Sequence, residues 1–145
     1  MLYTPLTRLA MRISYDAHHG QSDNDGVPYI YHPIAVAEQM QTEDGIITAL
    51  LHDVIEDTDV TPDALAANGF TPAVLEALNL LTHGSDEPYE NYLRRLRENP
   101  LALAVKLSDI AHNSQPDRID SLPEDIAARL RKKYALAARI LAGEE

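Results

Sequence analysis

The chain has 145 residues, 45% hydrophobic and 24% charged, the proportions of a globular domain large enough to bury a core and too short for a second catalytic domain. A formal charge of −11 argues against nucleic acid as partner, and the count of zero cysteines excludes disulfides, thiolate metal sites and cysteine nucleophiles, leaving His and carboxylate as the strong ligands. No apolar run approaches the roughly 18 residues of a membrane span, and residues 1–12 carry no signal-peptide core, so the expected location is cytoplasmic, with no membrane partner.

Residues Leu2 to His19 predict an amphipathic helix, with Leu6, Leu9, Ala10, Ile13 and Ala17 at helical spacing and Gly20 as its stop. Turn formers fill 21–28, and Tyr29-Ile30-Tyr31 reads as a short extended piece. His32-Pro33 starts the second helix, with Pro at the first helical position and His32 fixed at its mouth. A third helix is expected from about Glu43 through Asp57. Thr61-Pro62 and Thr71-Pro72 are capped starts of helices over about Pro62 to Ala67 and Pro72 to Thr82. Glu87 to Glu98 follows, with Tyr89, Tyr92, Leu93 and Leu96 as its buried stripe, then Leu101 to His112 after Asn99-Pro100. A loop over 113–123 leads to a last helix, Glu124 to Leu141. No repeat, linker or strand alternation is evident, so the predicted fold class is all-α, a compact single-domain helical bundle over 1–145.

Charge is unevenly spread. No Lys or Arg occurs between Arg12 and Arg94, an interval holding 15 Asp and Glu. An anionic ligand must then be held by Arg8 or Arg12, by the C-terminal third, or by a metal. Arg94, Arg95 and Arg97 read as a solvated face. In the third helix, Leu50, Leu51, Val54 and Ile55 fall on one arc and His52, Asp53, Glu56 and Asp57 on the other. Three carboxylates crowded on one face call for a compensating cation, either a metal ion or a cluster of basic side chains.

Leu101 to His112 is apolar almost all round, which marks a buried helix, yet it holds Lys106 and Asp109, with Asn113 on the same face. These two are either an ion pair or half of a metal site. If His32, His52, Asp53 and Asp109 converge, they form a nitrogen and oxygen set suited to Mn²⁺, Mg²⁺, Fe²⁺ or Zn²⁺. Tyr29 and Tyr31 are either core aromatics or walls of a pocket.

Four ordered motifs carry a resemblance that spans nearly the whole chain. They are Ala17-His18-x-Gly20-Gln21, then Gly26-x-Pro28-Tyr29-Ile30-x-His32-Pro33-x-x-Val36-Ala37, then Ala49-Leu50-Leu51-His52-Asp53-x-x-Glu56-Asp57-Thr58, and Val105-Lys106-Leu107-x-Asp109-x-x-x-Asn113. Together they resemble the HD-type metal-dependent phosphohydrolases, specifically the hydrolase domain of the Rel/Spo stringent-response enzymes and the free-standing small alarmone hydrolases. Lys133-Tyr134 is similar to the small-hydrolase pattern, less specifically.

The resemblance implies an HD-type helical fold with manganese held by His32, His52, Asp53 and Asp109. It implies release of the 3′-pyrophosphate of (p)ppGpp, a small-molecule nucleotide, with no synthetase activity expected in so short a chain. Glu56 and Asp57 match the acidic pair that activates and orients water, the alternative for Glu56 being an ordinary surface acid. Lys106, Asn113, Lys133 and Tyr134 are the implied substrate-binding residues, Asn113 alternatively a helix cap. His18 matches a position near the site that holds no metal. By elimination, the phosphates fall to Lys106, Arg118, Lys132 or Lys133 and the metal. One departure stands out: Asp23-Asn24 replaces the basic residues of the family's loop, so the base is open and an adenine alarmone or another nucleotide remains an alternative substrate. A non-catalytic helical module that retains its metal is the rival from another class.

Overall fold

Five helices begin on a proline, and in four of them a Thr or Asn side chain accepts a first-turn amide. Proline suits that position because its missing N–H would have had no intrahelical partner. The computed structural model describes residues 1–144; Glu145, the last residue of the expected domain, lies outside the described residues. The helices are α1 (Pro5–His18), α2 (Tyr31–Glu38), α3 (Glu43–Leu51), α4 (Val54–Asp57), α5 (Pro62–Ala66), α6 (Pro72–Leu81), α7 (Tyr89–Leu96), α8 (Pro100–Asn113), α9 (Pro116–Ile119) and α10 (Glu124–Leu141). Among the described residues there is no strand, only an isolated bridge between Ser22 and Pro28, so the class is all-α as expected. None of these helices is long and apolar enough to cross a membrane.

The bundle is built around α3. Every residue from Gly45 to Leu51 is buried, and α1, α2, α6 and α8 pack against it. Thr42 caps its start by accepting from the Gly45 amide. Gly45 permits a close approach there: a Cβ would stand 3.2 Å from Met40 Cβ and 3.0 Å from Thr42 Oγ1.

Five expectations need correction. The third helix is not continuous. α3 stops at Leu51, and Asp53 sits at φ −104°, ψ −1°, the bridge region between helix and strand, before α4 resumes the turn. Tyr29-Ile30-Tyr31 is a turn rather than an extended piece, closed by Tyr31 N–H to Pro28 O and His32 N–H to Tyr29 O. α2 therefore begins at Tyr31, and Pro33 is its third residue, still within the turn whose amides lack helical partners. The 113–123 loop contains the single turn α9. Helix α8 is not buried all round either: Ala104, Leu107 and Ala111 form an outward stripe, with Leu107 44% exposed.

Candidate metal centre and cleft

His52 closes α3. Its Nδ1–H donates to Ala49 O at 2.6 Å, which leaves Nε2 pointing away from the helix. That atom is buried, has no hydrogen-bond partner of good geometry, and lies 3.1 Å from Asp53 Oδ2 and 3.5 Å from Asp109 Oδ1. His32, from the first turn of α2, brings its Nε2 to 2.8 Å from Asp109 Oδ1 and 3.9 Å from Asp53 Oδ2. His32, His52 and Asp109 offer donor atoms all within 4.8 Å of one another, and Asp53 reaches both imidazoles from beside them. The four predicted ligands thus converge from α2, α8 and the break between α3 and α4.

The donor set fits a divalent cation. With one ring nitrogen of His52 committed to a carbonyl, the other presents either a lone pair or a proton to two carboxylates. A lone pair there is repelled, so a positive charge, proton or metal, has to stand between. Burial alone would push the His52 imidazole down, but Asp53 and Asp109 hold it well above its ordinary range. Burial would likewise raise Asp53, yet His52 holds it at about 2. Asp109 is held well below its ordinary value against its burial, chiefly by Lys106, whose Nζ donates to Oδ2 at 3.0 Å. Asn113 donates to the other oxygen at 3.0 Å, so this side chain serves the site rather than capping α8. The Lys106–Asp109 ion pair therefore coexists with the cluster of His and Asp side chains that could hold a metal.

Outer partners orient these ligands. Tyr29 donates its hydroxyl to Asp53 Oδ2 in a short hydrogen bond and stands beside His18, ring centres 4.8 Å apart. His18 is buried with Nδ1 3.0 Å from Gln21 Oε1. His112 Nδ1 lies 2.7 Å from His32 Nδ1, and burial, with His32 and Arg118 nearby, lowers its pKa to about 4.

The cluster opens into a cleft of about 650 Å³. Its lining includes the acids Asp53, Glu56 and Asp57 at α4 and its start, Glu90 of α7 and Asp109 of α8, the cations Arg129, Lys132 and Lys133 of α10, and Lys106, Asn113, Tyr89 and Tyr134. Glu56 Oε1 accepts the backbone N–H of His83 at 2.7 Å. Asp57 is raised to about 6 by partial burial and by Asp53 and Glu56 beside it. Lys133 Nζ sits 4.9 Å from the centre of the Tyr89 ring.

All ten predicted site residues line this cleft or its metal cluster. Arg118 does not; it lies 3.6 Å from Asp23 and 3.5 Å from the Asn113 amide oxygen. Asp23 in turn accepts the amides of Asp25 and Val27, so this acid closes its own loop. Arg95 is no solvated side chain, since it binds Glu87 and the carbonyls of Leu80 and Thr82 at the end of α6. Sequence reasoning overlooked Arg129, one turn before Lys132 and Lys133 on the same face, and singled out neither His83 nor His112. His112 stands three residues after Asp109, a helical spacing that signals a shared face; for His83 no such signal exists.

An all-helical domain with a buried His and Asp cluster at a cleft lined by both acids and cations defines the class. No protein-family model matches the chain. A Haemophilus influenzae protein named guanosine-3′,5′-bis(diphosphate) 3′-pyrophosphohydrolase is 31% identical over 136 residues, 83% of this chain and 20% of that protein. SpoT of Escherichia coli K12, named bifunctional (p)ppGpp synthase/hydrolase, is 31% identical over 140 residues, 87% and 20%. Among solved structures, one described as a metazoan ortholog of SpoT that hydrolyses ppGpp superposes with a TM-score of 0.80 at 20% identity, covering 100% of this chain and 90% of that one. The chain is a domain of the Rel/Spo hydrolase type. It spans about 20% of the length of these curated relatives.

Proposed function

We propose that this chain is a metal-dependent phosphohydrolase that removes the 3′-pyrophosphate from guanosine 3′,5′-bispyrophosphate-type alarmones, with Mn²⁺ held by His32, His52, Asp53 and Asp109. The observation that carries the reading is the convergence of those four side chains at a cleft that α10 lines with Arg129, Lys132 and Lys133. The names of the relatives support the substrate class, a small nucleotide.

A bound divalent cation supplies Lewis acidity, lowering the pKa of water and offsetting charge on the phosphoryl oxygens. The chain's own residues do the rest. Asp57, with a pKa already close to neutrality, accepts the proton of the attacking water. Glu56, anchored through the His83 amide, holds that water against Asp57. Arg129, Lys132 and Lys133 bind the polyphosphate, Lys106 and Asn113 fix Asp109, and Tyr89 and Tyr134 wall the nucleoside. Water adds to the phosphorus bound to the ribose 3′ oxygen and the bond between that phosphorus and the 3′ oxygen breaks; pyrophosphate departs with the new oxygen, and the proton taken up by Asp57 goes to the 3′ oxygen to leave a hydroxyl.

The test is direct. Purified protein with Mn²⁺ and either guanosine or adenosine 3′,5′-bispyrophosphate releases pyrophosphate, and Asp109→Ala releases at least 100-fold less, the scale expected when a charged ligand is lost (~2.7 kcal/mol or more). No release from either nucleotide, or equal release by variant and wild type, contradicts the proposal. The ratio of the two substrates reports the base preference that Asp23 and Asn24 leave open.

A further inference from the structure

His112 touches neither the cleft nor any carboxylate of the cluster, yet it is tied to the centre of it. Its Nδ1 lies 2.7 Å from Nδ1 of His32, the two ring centres are 5.0 Å apart, and the planes differ by 21°. A centre separation that exceeds the nitrogen separation by about two ring radii describes rings meeting edge to edge and nearly coplanar. In that arrangement the in-plane orbital of one nitrogen faces the N–H of the other, which is hydrogen-bond geometry rather than face stacking. The contact joins α2 to the last turn of α8, and so links the element that carries His32 to the one that carries Asp109.

One proton must lie between these nitrogens, and the site decides which ring carries it. His32 Nε2 belongs to the group of donor atoms that includes His52 and Asp109. A neutral imidazole that offers Nε2 to a cation has its only proton on Nδ1. We propose that His112 is a positioning residue that accepts this proton, selecting the Nε2-ligating tautomer of His32 and fixing the plane of its ring. The proton of His112 itself then lies on Nε2; the same residue also lines a surface groove with Glu38, Gln39, Ser108 and Gln115. Carboxylates and carbonyls commonly fill such a place beside a ligating histidine, where they bind the N–H and raise the ring's basicity. Here the acceptor is a second imidazole, which orients His32 without adding charge to a cluster already rich in carboxylates.

The inference rests on the proposed metal centre, and the experiment separates the two. Mn²⁺ titrations followed by electron paramagnetic resonance give the dissociation constant of the wild type, His112→Leu and His112→Asn. Leucine fills the space without an acceptor, while the Asn oxygen falls near the position of Nδ1. The expected result is a 10- to 100-fold weaker constant for His112→Leu and a return to within about threefold of wild type for His112→Asn, with unchanged metal-free melting temperatures. Wild-type affinity in His112→Leu, or equal weakening in both variants, overturns the role while leaving the metal centre intact; absence of Mn²⁺ binding by the wild type overturns both. A second measurement needs no variant. Nitrogen-15 spectra of the Zn²⁺-loaded wild type should show His32 protonated at Nδ1 and His112 unprotonated there, and the reverse assignment contradicts the proposal.

Discussion

Glu56 and Asp57 are neighbours in the chain with different surroundings, and the proposed reaction divides along that difference. Glu56 is held by a backbone amide, whereas Asp57 has no such anchor and titrates near 6 beside two other carboxylates. Glu56→Gln should keep Mn²⁺ affinity and lose on the order of 10²-fold in kcat; if metal occupancy disappears instead, Glu56 is a ligand. A cation among these acids offsets their repulsion, so the Asp57 pKa should fall from about 6 when Mg²⁺ is added, measurable from its carboxyl carbon-13 shift. For His52 the sign runs through competition. Its pKa is raised above 6.5 in the metal-free fold, so that protonation stabilises the fold below pH 6.5 and the gain is lost as pH rises through the folded value. Metal must displace that proton, so apparent Mn²⁺ affinity should weaken as pH falls, by up to about tenfold per unit for each proton released. Binding isotherms at pH 6 and pH 8 that coincide would contradict this. At this scale the sequence was informative wherever residue type and motif coincide, as at His32 and Asp109. It was silent where a backbone group decides, as in the His83 amide that anchors Glu56.

Among the elements, α3 has the most at stake, because it carries both the core and the rim of the site. Leu50→Ala, with Leu50 fully buried, should cost about 2–5 kcal/mol in urea unfolding. Thr42→Ala should cost about 1 kcal/mol through the lost cap. The Thr61-Pro62 and Thr71-Pro72 starts were legible because each satisfies a local rule, and α5 and α6 begin where the sequence places them; the same signal at Thr4-Pro5 was passed over, and His32-Pro33 does not open α2. The break after Leu51 was not, since Val54 and Ile55 continue the helical spacing across it. What ends α3 is the His52 side chain taking the Ala49 carbonyl, a contact no periodicity records. The single turn of α9 was too short to show a period at all, and the outward stripe of α8 depends on which neighbours reach it.

For the whole molecule, the uneven charge seen along the chain becomes a cleft lined by both acids and cations. A surface of −11 slows the approach of an anion at low salt, except where α10 presents Arg129, Lys132 and Lys133. Replacing all three by Ala should raise KM for the alarmone by roughly tenfold or more and change kcat much less; a lower kcat with unchanged KM would place the phosphates elsewhere. Asp23, the departure that leaves the base open, is explained within the fold by its turn and by Arg118, neither of which the sequence alone brings together. The central claim is that four side chains from distant positions make one metal centre. Anomalous diffraction at the manganese edge from crystals soaked in Mn²⁺ tests it most directly. One strong peak is expected about 2.0–2.3 Å from Nε2 of His32 and His52 and from carboxylate oxygens of Asp53 and Asp109; a peak elsewhere, or none, would contradict a centre made by these four side chains.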